Sequence, residues 1–294
     1  MIKILITGAS GFIGKNLKEY LECKYDVYAP SSSDLNLLDA VEVKSYLTKY
    51  KFDVLLHSAT WNATIMSGKD KTLVFKNNLQ MFFNLARNNK LFDKMIYYGS
   101  GAEYHKKKII PRVTENFFDE HVPIDDYGFS KYIMRKFAVK AKNIKELCLF
   151  GVFGKYEDLR IRFISNACCR VLLNMPITIK QNIFFDYLDV EDLVKVTEWY
   201  LLNKTNEKVY NICTGKSIDL LTIAQNILKI SNKEVDIIIS KKGLGLEYSG
   251  DNNRFIKEIG GFNFKEIYSS ISDLYAWYGE NNHLLEKKDM VLIT

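Results

Sequence analysis

A glycine-rich turn near the N-terminus constrains the fold of this chain more than any other feature. Gly8-Ala-Ser-Gly11-Phe-Ile-Gly14 follows an apolar run at residues 3–7 and opens a helical pattern at residues 12–21. In this context the first glycine permits a tight turn, the second lets backbone approach a pyrophosphate, and the third lets the helix pack on the sheet. The helix N-terminus then faces the phosphates. The turn therefore predicts a dinucleotide site at the edge of a parallel sheet.

Short apolar runs alternate with helical patterns through the first half of the chain. Further strands are predicted at residues 25–29, 54–57, 94–98 and 146–150, with helices at 38–50, 73–88 and 127–141. Repeated strand–helix units with short links are typical of an α/β fold with a Rossmann-type doubly wound parallel sheet. We assign residues 1–154 to this dinucleotide-binding domain. Residues 155–294 are less regular and are expected to form a smaller C-terminal substrate-binding domain, with some segments returning to the sheet.

Composition and charge exclude several classes of protein. The net charge of +6 is spread along the chain, and its one basic cluster, at residues 106–108, lacks the aromatic platform of a nucleic-acid binder. The five cysteines form no C-x-x-C pair and no metal-ligand spacing, so no metal site is predicted. No apolar run approaches the roughly 20 residues of a membrane span, and no leader is visible. We expect a soluble cytoplasmic protein without nucleic-acid or membrane partners.

A second motif, Tyr127-Gly-Phe-Ser-Lys131, indicates the chemistry. Residues four apart on a helix share one face, and a lysine ammonium beside a phenol favours the phenolate, which makes the tyrosine a usable proton donor near neutrality. The spacing alone is weak in a chain with 18 tyrosines. Together with the glycine turn and with Ser100, which follows a predicted strand, it indicates hydride transfer to or from an alcohol or ketone.

The end of the second predicted strand bears on the choice of dinucleotide. An acidic residue there would hold the adenosine ribose hydroxyls of NAD. This strand instead runs into Ser31, Ser32 and Ser33, and no acid follows until Asp34. Small hydroxyl side chains can accept a 2′-phosphate without repulsion, so NADP(H) is favoured, while NAD(H) stays possible because no arginine is nearby.

These motifs resemble those of the extended short-chain dehydrogenase/reductase family, which modifies nucleotide sugars. The likeness includes the glycine turn, Leu35-Asn-Leu-Leu-Asp39, Leu56-His-Ser-Ala-Thr60 and Ser100-Gly-Ala-Glu-Tyr104. It implies a catalytic triad of Ser100, Tyr127 and Lys131. The cofactor contacts that it implies are Gly8, Ser10, Gly11, Phe12, Ile13, Gly14, Ser31, Ser32, Asn36, Leu37, Ser58, Ala59, Thr60, Asn77, Tyr127 and Lys131. It also implies a homodimer that pairs through helices near residues 73–88 and 127–141.

The resemblance is less complete for the residues that would bind the substrate. Residues 185–192 resemble the family's late R-D-F-[IL]-H-V-x-D motif, but Phe185 stands where the family usually has an arginine for the substrate diphosphate. Arg160, Arg162, Lys180 or Arg254 must then serve. The remaining candidates for contact with the sugar are Trp61, Asn62, Ala102 and Glu103.

Catalytic side chains that epimerases and dehydratases carry are missing from this chain, and this narrows the set of reactions expected of it. Within the family the chain is most similar to GDP-fucose synthases and related 4-keto-sugar reductases. Members that epimerise use a cysteine two residues after the catalytic serine and a later histidine; here Ala102 stands at the first position and the second falls near Arg162. Dehydratases carry Asp-Glu directly after that serine, where this chain has Gly101 and Ala102. The resemblance thus implies an NADPH-dependent C4 reductase of a nucleotide-linked 4-keto-6-deoxy hexose or heptose in surface-polysaccharide biosynthesis.

Two other interpretations stay open at this point. A nucleotide-sugar 4-epimerase would hold NAD tightly and return the hydride to the opposite face of the sugar. A protein of another class, a non-catalytic dinucleotide-binding sensor or scaffold, could use the same fold. An intact Ser100, Tyr127 and Lys131 set argues against the sensor, because binding alone needs no proton donor.

Overall fold

Strands and helices alternate along the computed structural model of the chain, which describes residues 1–62 and 67–290. Their bounds are β1 Lys3–Thr7, α1 Phe12–Leu21, β2 Asp26–Tyr28, α2 Ala40–Tyr50, β3 Val54–His57, α3 Val74–Ala86, β4 Lys94–Ser100, α4 Asp126–Ala138, β5 Ile144–Leu149, β6 Gly151–Phe153, α5 Phe163–Leu172, β7 Ile177–Asn182, β8 Phe184–Asp189, α6 Val190–Leu202, β9 Val209–Ile212, β10 Ser217–Asp219, α7 Leu220–Ser231, β11 Ile237–Leu244, α8 Asn253–Ile259 and α9 Ile267–Glu280.

The chain divides into two compact units. The first consists of Met1–Ile109, Thr114–Leu149 and Val194–Ile212; the second consists of Ile110–Val113, Phe150–Leu193 and Cys213–Thr294. Apart from the short segment Ile110–Val113, the second unit begins at Phe150, and the predicted boundary was between residues 154 and 155. The segment from Val194 to Ile212 supplies β9 and most of α6 to the first unit.

The first unit is built on a six-stranded sheet in the order β2-β1-β3-β4-β5-β9. Every pairing in it is parallel. Parallel strands need crossover connections, and helices placed in those crossovers cover both faces of the sheet, so its strands read as continuous apolar runs. Ile4, Leu5, Ile6, Leu55 and Leu56 have no exposed surface. The predicted doubly wound parallel sheet is confirmed.

The second unit contains two smaller sheets and a helical core. One sheet has the order β10-β8-β6, and the other pairs β11 with β7 in parallel. Helices α5, α7 and α9 bury an apolar cluster that includes Cys168, Ile223, Ile227 and Ile271. Over the described residues, no helix combines the length and the apolar character needed to cross a membrane.

Register within the first unit brings the functional motifs to one edge of its sheet. Thr7 pairs with His57, and His57 pairs with Tyr97, so β1 and β3 end side by side while β4 continues past them to Ser100. The carboxyl ends of neighbouring parallel strands form the crevice in which such sheets bind ligands. Gly8, Ser58 and Ser100 each lie directly at these strand ends.

Candidate active site

The glycine turn packs backbone against backbone. Gly8 has a φ of +75°, and a Cβ there would lie 2.6 Å from the Cα of Ala59. A Cβ on Gly14 would lie 2.2 Å from the carbonyl oxygen of Gly8. Side chains are thus excluded from both positions. Because the N-cap of α1 is Gly11, no side chain caps the helix, and its first N–H groups can bind an anion such as a pyrophosphate. The turn fits a dinucleotide.

The loop after β2 has an unexpected arrangement at the predicted 2′-phosphate contacts. Ser31 and Ser32 are exposed, but the carboxylate of Asp34 accepts hydrogen bonds from Ser31 N at 3.1 Å and from Ser31 Oγ at 2.6 Å. These hydrogen bonds lower the pKa of Asp34. Asn84 Nδ2 donates to the carbonyl oxygen of Leu37 at 2.8 Å, which fixes the neighbouring predicted adenine contact. The ionised carboxylate of Asp34 thus places a negative charge beside Ser31 and Ser32, the predicted contacts to the 2′-phosphate.

The loop after β3 is held by an asparagine that the sequence did not single out. Asn78 Oδ1 accepts hydrogen bonds from Thr60 Oγ1 at 3.1 Å and from Trp61 N at 2.6 Å. Asn77, the predicted cofactor contact, is buried next to it in α3. The signal available in the sequence was the Asn77-Asn78 doublet inside a helix whose other residues are mostly apolar.

His57, at the end of β3, is a buried neutral side chain. Its Nδ1 lies 2.8 Å from Thr7 Oγ1, and burial, together with the charge of Lys131, lowers its pKa to about 3. Ser58 Oγ donates to the carbonyl oxygen of Thr7 at 2.7 Å. Both side chains therefore tie β3 to β1, and His57 has the surroundings of a structural histidine.

Lys131 connects helix α4 to the strand that carries Ser100. Its Nζ is nearly buried, donates to the carbonyl oxygen of Tyr98 at 2.6 Å, and lies 5.9 Å from the ring centroid of Tyr127. Tyr98 stands two residues before Ser100 on β4. The structure thus places Lys131 against the strand that ends at Ser100, with the ring of Tyr127 beside the same ammonium.

The turn after Ser100 packs closely against the start of α4. Ser100 Oγ accepts a hydrogen bond from Ala102 N at 3.2 Å and caps a short 3-10 turn over Gly101–Tyr104. Asp125 caps α4 by accepting from Gly128 N at 3.0 Å. A Cβ on Gly128 would lie 2.7 Å from the carbonyl oxygen of Ala102, so a glycine is required for this approach.

Lys106, the first residue of the basic cluster at residues 106–108, lies beside Tyr127 in the structure. Its Nζ lies 3.1 Å from Asp125 Oδ1 and 5.7 Å from the ring centroid of Tyr127. A second cation therefore lies beside the candidate proton donor. Nothing in the local sequence pattern distinguishes Lys106 from its neighbours Lys107 and Lys108.

The predicted substrate contacts lie in both units. In the first, Trp61 is half-buried and Asn62 exposed, whereas Ala102 is buried and Glu103 has no exposed surface at all, so its side chain packs inside the unit. The cations of the second unit have different surroundings. Arg160 binds Asp158 through two hydrogen bonds of 2.7 and 3.0 Å, Arg162 and Lys180 are exposed, and Arg254 is half-buried in α8. Their substrate roles stay predictions.

Fold and site together define the class: a dinucleotide-dependent oxidoreductase built on a parallel sheet. Residues 4–213 match the NAD dependent epimerase/dehydratase family, and the chain belongs to this family. The predicted resemblance is confirmed, and with it the interpretation as an NAD(P)-dependent oxidoreductase of the extended short-chain dehydrogenase/reductase type.

Individual relatives are similar over nearly their whole length. GDP-L-colitose synthase of Yersinia pseudotuberculosis is 24% identical over 305 residues, covering 94% of this chain and 98% of the relative. The structure of a GDP-L-fucose synthetase from Naegleria fowleri bound to NADP superposes with a TM-score of 0.83 at 18% identity, covering 97% and 95%. That of a GDP-mannoheptose C4 reductase from Campylobacter jejuni, with NADP bound, gives 0.80 at 18% identity, covering 95% and 98%.

Proposed function

We propose that this protein is an NADPH-dependent C4 reductase of a nucleotide-linked 4-keto-6-deoxy sugar, a hexose or a heptose. The observation that supports the proposal is the hydrogen bond from Lys131 to the carbonyl oxygen of Tyr98, two residues before Ser100, together with the ring of Tyr127, whose centroid lies 5.9 Å from the same Nζ. A proton donor, a hydroxyl and a cation at one strand end are the groups that ketone reduction requires.

The reaction adds a hydride and a proton to the ketone, giving a secondary alcohol. NADPH, when bound, supplies the hydride and leaves as NADP⁺. Ser100 hydroxyl donates a hydrogen bond to the carbonyl oxygen as it gains charge, and Tyr127 transfers its phenolic proton to that oxygen. Lys131 stabilises the phenolate that remains on Tyr127 until solvent returns the proton.

Ala102 supports reduction without a preceding epimerisation. It lies buried two residues after Ser100, and its methyl group cannot carry a proton to or from the sugar carbons. The names of the three similar proteins given above all refer to GDP-linked sugars, which favours a GDP-linked substrate here. The name of the Campylobacter jejuni relative favours reduction at C4.

NADPH is the proposed cofactor on two grounds. Ser31 and Ser32 are small and exposed, and the two similar structures cited above contain NADP. The carboxylate of Asp34 opposes this choice, because it would repel a 2′-phosphate bound at Ser31. Replacing Asp34 by Asn should therefore raise the ratio of NADPH to NADH efficiency if a 2′-phosphate binds at these serines.

Turnover with defined substrates tests the proposal. The purified protein is mixed with NADPH, and separately with NADH, and with freshly prepared GDP-, CDP- and dTDP-4-keto-6-deoxy sugars, while the absorbance of the reduced nicotinamide is followed. Consumption with one sugar is the expected result. Tyr127→Phe should lower kcat by at least about a hundredfold, within the range ascribed to positioned proton donors. The matched control is Tyr132→Phe on the same helix, whose hydroxyl binds Asp119 instead.

Other outcomes identify the alternatives. Protein that purifies with tightly held NAD, consumes no added cofactor and interconverts C4 epimers would be an epimerase. Folded protein that binds dinucleotide but reacts with no sugar, and whose Tyr127→Phe variant is indistinguishable from wild type, would be a sensor or scaffold.

We further propose that the enzyme works as a cytoplasmic homodimer in the synthesis of surface polysaccharide. Support for pairing comes from α3 and α4, where the half-buried rings of Phe75 and Phe129 stack with centroids 5.0 Å apart. Light scattering of the purified protein should give the mass of two chains, and Phe129→Glu should shift it toward one.

A further inference from the structure

A group of ionisable side chains lies buried in the first unit, directly behind the turn that follows Ser100. Glu103 belongs to this turn, and Glu146 and Cys148 belong to β5. One carboxylate oxygen of each acid and the Cys148 sulfur all lie within 4.8 Å of one another. Glu103, Glu146 and Cys148 have no exposed surface. Two carboxyl groups are thus held close together, away from water.

The charges of this group do not balance if both acids are ionised. Arg135 of α4 is the cation paired with it, at 3.6 Å from Nη1 to Glu103 Oε1. That guanidinium also donates to Tyr104 Oη at 2.8 Å and to the carbonyl oxygen of Glu115 at 3.0 Å, so it is shared. One positive charge facing two buried carboxylates leaves one negative charge uncompensated, which is costly in a low-dielectric interior.

The hydrogen bonds around the two acids also indicate that one of them carries a proton. Glu146 Oε2 accepts a hydrogen bond from Tyr97 Oη at 2.5 Å. Both oxygens of Glu103 and Oε1 of Glu146 are buried and have no hydrogen-bond partner of ordinary geometry among the described residues. Buried polar atoms are rarely left without a partner. If Glu103 carries a proton, its O–H can donate a hydrogen bond to Glu146. Without that proton, the oxygens of both carboxylates can only accept.

The electrostatic surroundings also favour a proton on Glu103. Burial and the neighbouring charge of Glu146 raise the pKa of Glu103 well above its usual range, against the opposing effect of Arg135. Cys148 adds no charge, because burial raises the pKa of its thiol as well. With Glu103 neutral, Arg135 and Glu146 compensate each other.

The pair also contacts the backbone that carries Ser100. A Cβ on Gly99 would lie only 2.1 Å from Glu146 Oε1, so this carboxylate rests against the residue directly before Ser100. Glu103 lies three residues after Ser100, in the turn that Ser100 caps. The two acids therefore hold the chain on both sides of the serine.

We propose that Glu103 and Glu146 share one proton, and that Glu103 is a positioning residue whose hydrogen bond to Glu146 fixes the turn that aims the hydroxyl of Ser100. The positioning role of Glu103 rests on the proposed role of Ser100 in reduction, whereas the shared proton does not. A divalent cation held by the two acids and Cys148 is the competing account, and it would add two positive charges beside the Arg135 guanidinium.

Infrared difference spectroscopy of the whole protein tests the shared proton without any substrate. The wild type should show the carbonyl stretch of a protonated, buried carboxylic acid at neutral pH, and Glu103→Gln should lose that band. Absence of the band in the wild type, or its persistence in Glu103→Gln, overturns the proposal. So does a stoichiometric metal ion in the purified protein that a chelator removes with loss of stability.

Kinetics test the positioning role. Glu103→Leu removes the hydrogen bond while keeping the volume, and should lower kcat by at least about tenfold with little change in KM, because a small displacement of a reacting group is enough for such a loss. Glu103→Gln can donate an amide N–H to Glu146 and should restore kcat to within about threefold of wild type. Equal losses in the two variants, or losses in KM alone, overturn the positioning role. A wild type that reduces no sugar would refute the proposed function, while the infrared result would still decide the shared proton.

Discussion

Replacing the buried acid Glu157 by Gln should make the second unit more stable at neutral pH than it is in the wild type. Glu157 is 6% exposed, and Ser165 Oγ donates a hydrogen bond to its Oε1 at 2.5 Å. Burial outweighs this hydrogen bond and the nearby charge of Arg162, and it raises the pKa of Glu157 from 4.5 to about 7. The amide of a glutamine keeps an oxygen that can accept from Ser165 and carries no charge.

The sign of the pH dependence follows from where each state loses its proton. As the pH rises above 4.5 the unfolded chain releases the proton of Glu157, whereas the folded protein keeps it until about pH 7. The stability contributed by the protonated acid is therefore fully present below pH 4.5 and is lost as the pH rises through 7. The difference between these two pKa values corresponds to about 3 kcal/mol of unfolding free energy.

Urea unfolding measures this directly. Trp277 lines the same small cavity as Glu157, so its fluorescence, in a background with Trp61 and Trp199 of the first unit replaced by Phe, reports on the second unit. Glu157→Gln and wild type should unfold alike near pH 4.5, and the variant should be more stable by about 3 kcal/mol near pH 8. Glu234→Gln, an exposed acid of the same unit, is the control and should give no such trend. A difference that is constant with pH, or a variant that is less stable at pH 8, would refute the reasoning.

Three further predictions concern the first unit. Gly14→Ala places a Cβ 2.2 Å from the Gly8 carbonyl oxygen, so the turn must open and NADPH affinity should fall by at least about tenfold by calorimetry; unchanged affinity contradicts the assignment of the turn. His57, whose pKa is lowered to about 3, is neutral when folded, so between about pH 6 and pH 4 the wild type should lose about 2 kcal/mol more stability than His57→Asn in urea unfolding; parallel curves contradict this. Lys131→Met should lower kcat by at least about a hundredfold without unfolding the protein, as judged by circular dichroism; a change in KM alone contradicts its role beside Tyr127.

The parallel sheet of the first unit could be predicted because its signals are local. Apolar runs such as residues 3–7 and 54–57 are buried on both faces, and a glycine turn after the first of them has few other uses. Strand β11 of the second unit was missed for the opposite reason. Seven of the eight residues in β11 are exposed, so its sequence shows no apolar alternation, and only its pairing with β7 makes it a strand.

Within the candidate site, the residues that could not be predicted from the sequence contact partners that lie far from them along the chain. Asn78 sits in a helix and holds the loop after β3; the Asn77-Asn78 doublet marks it as unusual, but nothing near it in the sequence indicates which loop it binds. Glu103 was predicted as a candidate sugar contact from its position after Ser100, where the polarity of a loop explains the residue equally well. In the structure it has no exposed surface, and Arg135 and Glu146, from two other elements, lie around it. Local patterns were enough to predict the triad of Ser100, Tyr127 and Lys131, whereas the buried charges around Glu103 come from residues distant in the chain.

Isotope transfer tests the central claim of C4 reduction most directly. The protein is incubated with NADPH carrying deuterium at the transferable position of the nicotinamide and with the GDP-linked 4-keto-6-deoxy sugar that it consumes, and the product is examined by proton NMR and mass spectrometry. The proposed reaction predicts one deuterium per sugar, located at C4, and none from deuterated water at that carbon. A product without deuterium, or with deuterium at another carbon, would contradict hydride transfer from the cofactor to C4.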